Sequence, residues 1–457
     1  MPQFTGVSSR KESKFEAFTE AADLFAGSTV EKATKKSREA SYRPINSNSE
    51  GPFDFYIPHE GDLYLNPSTL RLHGGFKVVI IENGVEKPLP ADKEVSLVNL
   101  APLSFFKSLE IDFQGQIVSF INTPLHHYKS YIETILSYDS NVQATHLKAA
   151  LWEADTAGKF DKLSDGAQSG YTNRKAWIKE SKINYFSIDL HSDLACTEKF
   201  WPNKLDVNIR LNRAPDTFSL LAPKPKEVGG VTPPHPTYKI VFTDLVLTID
   251  KVQLEPATLA KHESSFNQGG LANYPYSKTV LKTKQISKGL TYAKIENLFM
   301  NELPNSCVVA MVDSEAFNGK LELNPFNFQH FNLTHLQFDY NSEIIPPNGI
   351  RPNFTTGDYM KEYRRLFDHT GVGTGNITNN ITPDYFKGGM TLFPVDFTPD
   401  KCLGYHTHTT ENGSLGLELK FAKELEKSIT VIVFATFDDV IELDASRQVI
   451  FRKSTHH

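Results

Sequence analysis

Two blocks of this chain repeat each other at a separation that no short-repeat architecture uses. LEIDFQGQIV, Leu109–Val118, aligns without gaps on LQFDYNSEII, Leu336–Ile345, and sets Asp112 against Asp339. FSIDLHSD, Phe186–Asp193, aligns on FPVDFTPD, Phe393–Asp400, pairing Asp189 with Asp396 and Asp193 with Asp400. LDVNIRL, Leu205–Leu211, then matches LGLELKF, Leu415–Phe421, and KIVFTDLVLTIDKVQL loosely matches TVIVFATFDDVIEL near the end. A single match of this kind carries little, because all strands draw on the same alternating Ile, Val, Leu and Phe alphabet. Four matches in one order imply a duplicated domain, since solenoid units repeat at about 20 to 50 residues and this period is roughly 220.

The repeated text also says what is duplicated. Short runs such as LYLNPSTLRL, FKVVIIENG and SLEIDFQGQIVSF alternate apolar and polar residues, are rich in β-branched and aromatic side chains, and break at Gly, Asn and Asp. They read as strands, with ENG and QGQ as hairpin turns. Many short strands separated by turn signals mean a sandwich or barrel. In an L-x-φ-D-φ strand the Leu and the alternate apolar residue share the buried face, and the Asp at the end accepts turn amides. Two segments read as helices: PLHHYKSYIETILSY, with Leu125, Tyr128, Ile132, Ile135 and Leu136 on one face, and TGDYMKEYRRLF, opened by Thr356 and Asp358. Each follows the aspartate hairpin of its half, so the duplicated unit is a β-sandwich with a helix inserted at an equivalent place.

Length agrees, because single cores stop growing at roughly 250 to 300 residues and this chain has 457. With 39% hydrophobic and 22% charged residues it has the composition of a globular protein. The net charge of -6 argues against a protein whose main work is gripping nucleic acid, which needs a basic face. A local basic patch remains in KATKKSREASYR, with Lys32, Lys35, Lys36, Arg38 and Arg43. Residues 1–50 are otherwise polar with few large apolar groups, and are expected to form an arm that orders only on assembly. Deleting residues 1–45 is expected to leave the oligomer of the folded unit intact but to impair the larger assembly built from it. LLAPKPKEVGGVTPPHPTY, Leu220–Tyr238, concentrates Pro and Gly and reads as a long surface loop. KHESSFNQGGLANYPY, Lys261–Tyr276, is polar and Gly-bearing and reads as the domain boundary. The expected domains are an arm over 1–50, a first sandwich over 51–262 and a second over 263–457 with a C-terminal tail.

Sites for chemistry are weak. Cys402, His406, His408 and Glu411 in DKCLGYHTHTTENG put an H-x-H before a Glu, as metal-binding cupins do. The gap to the Glu is too short, Gly404 is misplaced and the other half has no counterpart, so a solvated loop is expected. His126 and His127 open the first helix as surface or capping residues, where an imidazole could sense pH. GVGTGN, Gly371–Asn376, follows a helix rather than a strand and lacks the Lys-Ser or Lys-Thr ending of a phosphate loop, which excludes nucleotide binding there. No G-x-S-x-G occurs. No catalytic, cofactor or metal residue is therefore assigned. Three widely spaced cysteines, Cys196, Cys307 and Cys402, form no disulfide framework and are expected as buried thiols in a reducing compartment. The opening residues lack a basic-then-apolar leader and no apolar run is long enough to span a membrane, so secretion is not expected. The N-x-S/T sequons at Asn332, Asn353, Asn376, Asn380 and Asn412 then carry no glycan.

Further blocks in fixed order carry a family resemblance: SLVNLAPLSFFKSLEIDFQGQ, TPLHHYKSYIETILSY, GYTNRKAWIKESKINYFSIDLHSDL, NPFNFQHFNLTHLQFDY, a Tyr-Phe, Gly-Gly and TLFPVDFTPD block, and GSLGLELKFAKELEKSITVIVFATFDDVIEL. From about Gly61 to Asp444 the chain resembles the major capsid proteins of Polinton (Maverick) elements and adintoviruses, with virophage and adenovirus-lineage capsid proteins as more distant relatives. The Tyr-Ile-Glu-Thr-Ile-Leu helix and the Asn-Pro-Phe-Asn-Phe segment are its most distinctive parts. The resemblance implies an all-β chain of two tandem eight-stranded antiparallel jelly rolls, a double jelly roll with one short helix inserted in each. It implies a non-enzymatic homotrimer of pseudo-sixfold outline that tiles an icosahedral virion capsid around double-stranded DNA, assembled inside the host cell. A single-jelly-roll penton protein is the expected second partner, the Pro-rich loop an outward tower, and the five basic residues of the arm a weak contact to packaged DNA. The competing readings are a double-jelly-roll hydrolase of glycans or glycopeptides, which needs carboxylates converging between the sandwiches, and a monomeric carbohydrate-binding module.

Overall fold

The computed structural model describes residues 32–46, 50–119, 124–163, 169–197, 199–227, 232–368, 379–401, 408–409 and 411–450. Of twenty strands among the described residues, sixteen form two corresponding sets of eight; Val85–Pro88, Ser96–Leu97, Leu220–Leu221 and Val449–Ile450 stand outside the correspondence. The first set is β1 (Thr34–Tyr42), β2 (Phe53–Ile57), β3 (Leu63–Glu82), β4 (Phe106–Phe113), β5 (Gln116–Ile117), β6 (Asn184–Asp189), β7 (Val207–Arg213) and β8 (Thr237–Leu254). The second is β9 (Ala272–Ile286), β10 (Tyr292–Glu302), β11 (Ser306–Asp313), β12 (Leu333–Tyr340), β13 (Glu343–Ile350), β14 (Leu392–Asp396), β15 (Asn412–Phe421) and β16 (Ile429–Leu443). In the first set one sheet runs β1-β8-β3-β6 and the other β2-β7-β4-β5. In the second the orders are β9-β16-β11-β14 and β10-β15-β12-β13. Adding eight to each strand number of the first half reproduces the second, and every pairing is antiparallel. This is the duplicated sandwich read from the four sequence matches.

The alternation in each strand explains the layering. In β7 Val207, Ile209 and Leu211 are buried while Asn208 and Arg210 face out, and Leu415, Leu417 and Leu419 of β15 are buried in the same way. Period-two alternation gives each sheet one apolar face, and the two faces of a sandwich close on each other. The hairpins repeat as well. Gln114 and Gly115 take φ of 52° and 89°, and Asn341 and Ser342 take 51° and 70°, the double positive φ that suits the twist of a two-residue hairpin. Asp112 accepts a hydrogen bond from the Gly115 amide at 2.6 Å, and Asp339 accepts one from the Ser342 amide at 2.9 Å.

Four expectations need correction. Residues 34–42 are not part of an arm: β1 pairs with β8 from Thr34↔Leu254 to Tyr42↔Leu247 and is an edge strand of the first sandwich. Its charged text misleads because most of its side chains face solvent and backbone pairing holds it. Deleting residues 1–45 would therefore strip a strand; residues 1–31, the remainder of that arm, lie outside the described residues. The inserted helices exceed one per half. Beside α1 (His126–Ser137) stands α2 (Ser169–Ile178), and α4 (Met360–Asp368) is followed by a short helix at Pro383–Lys387. The polar boundary segment is mostly α3 (Pro256–Asn267), so the division after residue 262 falls inside a helix. The Pro-rich loop is anchored at both ends, since Leu220–Leu221 pairs with Ser96–Leu97 and Thr237 opens β8. Of the cysteines, Cys307 is buried as expected, Cys196 is exposed, and both are free thiols.

The seam between the sandwiches and the candidate assembly surfaces

Helix α1 belongs to the first half by sequence, and two tyrosines of its apolar face reach the second. Tyr128, Tyr131, Ile132 and Ile135 are all buried. The Tyr131 ring stacks on Phe326 and that of Tyr128 on Phe317, with centroids 4.0 and 5.5 Å apart. Phe326 lies in the Asn-Pro-Phe-Asn-Phe segment, so the two most distinctive pieces of the sequence are partners. Aromatic pairs of this kind add about 0.5–1.5 kcal/mol beyond the area they bury. Three expected face residues, Tyr128, Ile132 and Ile135, are in place and Leu125 is buried at the helix start, while Leu136 is only partly buried. Tyr131, the best-stacked residue of the helix, escaped the sequence reading.

Polar groups fix the same seam. The Arg174 guanidinium, on α2, is fully buried, donates to Asp155 Oδ1 at 2.5 Å and to the Leu97 carbonyl at 2.8 Å. Asp155 Oδ2 accepts from Asn324 Nδ2 at 3.0 Å, and Asp161 accepts from the Asn324 amide at 2.7 Å and from Asn327 Nδ2 at 2.6 Å. Two first-half carboxylates thus hold the Asn-Pro-Phe-Asn-Phe segment from both ends. Burial pushes the Asp161 carboxyl up, against the hydrogen bonds from Asn324 and Asn327. At the chain's other end Arg447, 2% exposed, bonds the Asn203 carbonyl at 2.8 Å and its side chain at 2.7 Å, and lies 4.0 Å over Phe266. Ala222 donates to the Leu321 carbonyl at 2.7 Å, and His235 contacts Glu322 at 3.1 Å, so the Pro-rich loop is also tied to the second half.

The only cluster of charges on α1 sits beside this seam. Lys129 Nζ lies 2.9 Å from both Glu133 Oε1 and Asp193 Oδ1 and donates to the His191 carbonyl at 2.8 Å. His191 Nδ1 is 2.8 Å from Glu133, and Asp193 Oδ2 accepts from the Thr279 amide of β9 at 2.9 Å. Burial opposes the charges of Lys129, Glu133 and Asp193. Lys129 and His191 nevertheless bring the Glu133 carboxyl down to about 2, and the two carboxylates hold the Lys129 ammonium above its ordinary range. Asp193 is raised, by burial first. The adjoining cavity, lined by Lys129, His191 and Asp193 among others, has a volume of about 80 Å³. That is room for two or three waters at about 30 Å³ each, not for a sugar ring.

The residues singled out in the sequence fare differently. His126 and His127 are not surface groups. Burial pushes His126 well below the usual imidazole range and His127 down to about 3, with His127 edge-on to Phe218 at 4.2 Å. His408 is not solvated: Nε2 lies 3.0 Å from Asp400 and its amide donates to Asp438 at 2.8 Å. Glu411 is exposed and accepts from the Tyr340 hydroxyl at 3.1 Å. Cys402, His406 and the GVGTGN stretch lie outside the described residues. Among the described residues no three His, Cys, Asp or Glu side chains are grouped to hold a metal, and no helix is long and apolar enough to cross a membrane. Of the basic residues, Lys32, Lys35 and Lys36 are exposed; Arg38 is ion-paired with Glu60 and Arg43 lies 3.9 Å from Asp244.

No protein-family model matches the chain. A curated Caenorhabditis elegans protein, described as uncharacterized protein F54H12.2, is 24% identical over 416 residues, covering 88% of this chain and 93% of that one. Among solved structures, a chain of the Sputnik virophage aligns with a TM-score of 0.61 at 10% identity over 97% of this chain and 94% of its own length. The PBCV-1 virus capsid aligns at 0.56 and 10% identity over 93% and 99%, and the mavirus major capsid protein at 0.54 and 12% over 96% of each. At such identities the likeness is one of fold: the chain is a double jelly roll over nearly its whole length.

Proposed function

We propose that this chain is a major capsid protein, a non-enzymatic shell subunit that trimerises into a pseudo-hexameric capsomer and tiles an icosahedral virion capsid around double-stranded DNA. The observation that carries the reading is the strand-for-strand repetition of one sandwich within a single chain. Three copies of a duplicated unit present six near-equivalent towers, and closed symmetry is the ordinary way a soluble chain buries matching surfaces. The fold likeness to virophage and PBCV-1 capsid chains supports it, and within that lineage the Polinton and adintovirus group remains the assignment its sequence blocks favour. A penton protein of one jelly roll is the second partner. Lys32, Lys35 and Lys36, exposed on and just before an edge strand, are the DNA-facing groups, while Arg38 and Arg43 serve ion pairs within the subunit. Assembly takes place inside the host cell rather than after secretion.

One observation weighs against the hydrolase reading. Glu133 and Asp193, two carboxylates that meet beside the seam, are both paired with Lys129 next to a cavity of about 80 Å³. Mass photometry followed by negative-stain microscopy tests the proposal. A species near three times 51.4 kDa with a hexagonal outline is expected, and a protein that stays monomeric at micromolar concentration overturns it.

A further inference from the structure

A second, larger cavity lies at the junction between α3 and the two sandwiches, with a volume of about 460 Å³. That is the size of a site that buries a folded side-chain cluster or a small ligand, roughly 300–1,000 Å³. Its walls are aromatic and aliphatic: Tyr64, Phe200, Leu254, Phe266, Leu271 and Tyr274. Tyr64, Val252 and Leu254 form a small apolar cluster separate from the main core, with Phe200 and Leu259 packed on it. The groove is therefore a satellite core with one side open. Its few polar groups include Lys199, whose ammonium donates to the Asn273 carbonyl at 2.6 Å, and His262, whose Nδ1 lies 3.1 Å from the Tyr64 hydroxyl.

The chain itself arrives at this groove. Thr34, the first residue of β1, is opposite Leu254, a wall residue, and the Glu255 amide donates to the Ala33 carbonyl at 2.9 Å. The residues before that point carry one apolar pattern: Phe15, Phe18, Ala22 and Phe25 follow at spacings of three, four and three, with Leu24 beside the last. Such spacing puts apolar groups on one face of a helix, while Glu16, Glu20 and Asp23 fall on the other. We propose that the segment Phe15–Phe25 of the same chain docks in this groove, its phenylalanines completing the satellite core and its acidic face turned to solvent and toward Lys199. Ala26–Lys32 is the tether, seven residues whose root-mean-square span is about 15 Å. A tether that short keeps the segment at an effective concentration on the order of millimolar, so even a weak intrinsic contact is occupied. The inference does not depend on trimer formation.

A labelled peptide of residues 12–28 is the probe, read by fluorescence anisotropy against the full-length chain. Full-length protein with Phe15, Phe18 and Phe25 all changed to Asp is expected to bind the peptide saturably, and the unaltered protein at least tenfold more weakly because its own segment competes. Adding Leu271→Asp to the Asp-substituted chain should abolish binding; Ser265→Trp, at the mouth of the groove, repeats the test should Leu271→Asp fail to fold. Equal binding to the two proteins, no binding to either, or binding indifferent to both groove substitutions overturns the proposal. Pairing Phe18→Cys with Ser265→Cys locates the donor chain. A disulfide within one polypeptide on non-reducing gels is expected, and a ladder of linked chains would contradict docking in the same chain.

Discussion

The rings of Tyr131 and Phe326 lie within 5° of parallel with centroids 4.0 Å apart, one on helix α1 of the first sandwich and the other on the loop between β11 and β12 of the second. Both side chains are almost completely buried. Replacing either by alanine should cost about 3–5 kcal/mol, as for other large buried aromatics. Because they share one contact, the double variant should cost less than the sum of the two singles. Denaturant unfolding of the four proteins measures this, and strict additivity would show that the two halves do not lean on each other here.

Arg174 and Asp155 offer a sharper test. Arg174→Met leaves a carboxylate at 1% exposure with its guanidinium gone, and the loss should be about 3–5 kcal/mol. Changing both, Arg174→Met with Asp155→Leu, should recover part of it, since the stranded charge is also removed. A double variant no more stable than Arg174→Met would mean that the pair's hydrogen bonds, not its charges, dominate.

Acid should destabilise the fold through His127. Its folded-state value near 3 lies below the ordinary 6.5, so between those values the unfolded chain binds a proton that the folded chain does not. Stability therefore falls as pH drops below about 6.5, with a slope of up to about 1.4 kcal/mol per pH unit from this residue. His127→Phe should flatten the melting-temperature profile between pH 6.5 and 4. Parallel profiles for the two proteins would remove His127 from the account.

The two aspartate hairpins differ at the second central position of the turn, and that difference is testable. Gly115 and Ser342 occupy the same turn position at φ of 89° and 70°. A left-handed conformation costs a non-glycine residue about 1–2 kcal/mol, part of which glycine's extra unfolded-state freedom cancels. Ser342→Gly should raise stability by roughly 0.5–1 kcal/mol, and Gly115→Ser should lower it by a similar or larger amount. Opposite signs at the two sites in thermal melts are the expected result.

If Lys35 and Lys36 touch packaged DNA, each Lys→Glu change should weaken duplex binding and lower the salt slope of log K by about 1, while melting temperature stays within a degree or two. An unchanged slope would place the DNA contact elsewhere.

Much of this architecture was legible because strands with one buried face write a period of two into the sequence, and a duplicated unit writes it twice. Asp112 and Asp339 were legible for a further reason: a turn aspartate acts on an amide three residues on, within one window of text. What escaped acts across the fold. Arg174 meets Asp155 nineteen residues away and Asn203 meets Arg447 at a separation of 244, and no local pattern encodes such pairs. β1 escaped because an edge strand facing solvent on both sides of its pleat carries charges where a central strand carries valines. Helix α3 escaped because Phe266 is its one fully buried side chain, which leaves no apolar stripe to detect. His126 and His127 read as surface groups because a histidine pair looks polar until distant residues such as Phe218 cover it.

Arg447 clasps the middle of the chain from close to its end, closing Asn203 and Phe266 into the second half. Traction on the C-terminus would load first the Val449–Ile450 pairing with β16 and then that clasp, so the tail is held at two points in succession. Fastened in this way, the end of the chain comes free only when its hold on the middle gives way, so fraying at the tail and parting of the two halves become one event rather than two.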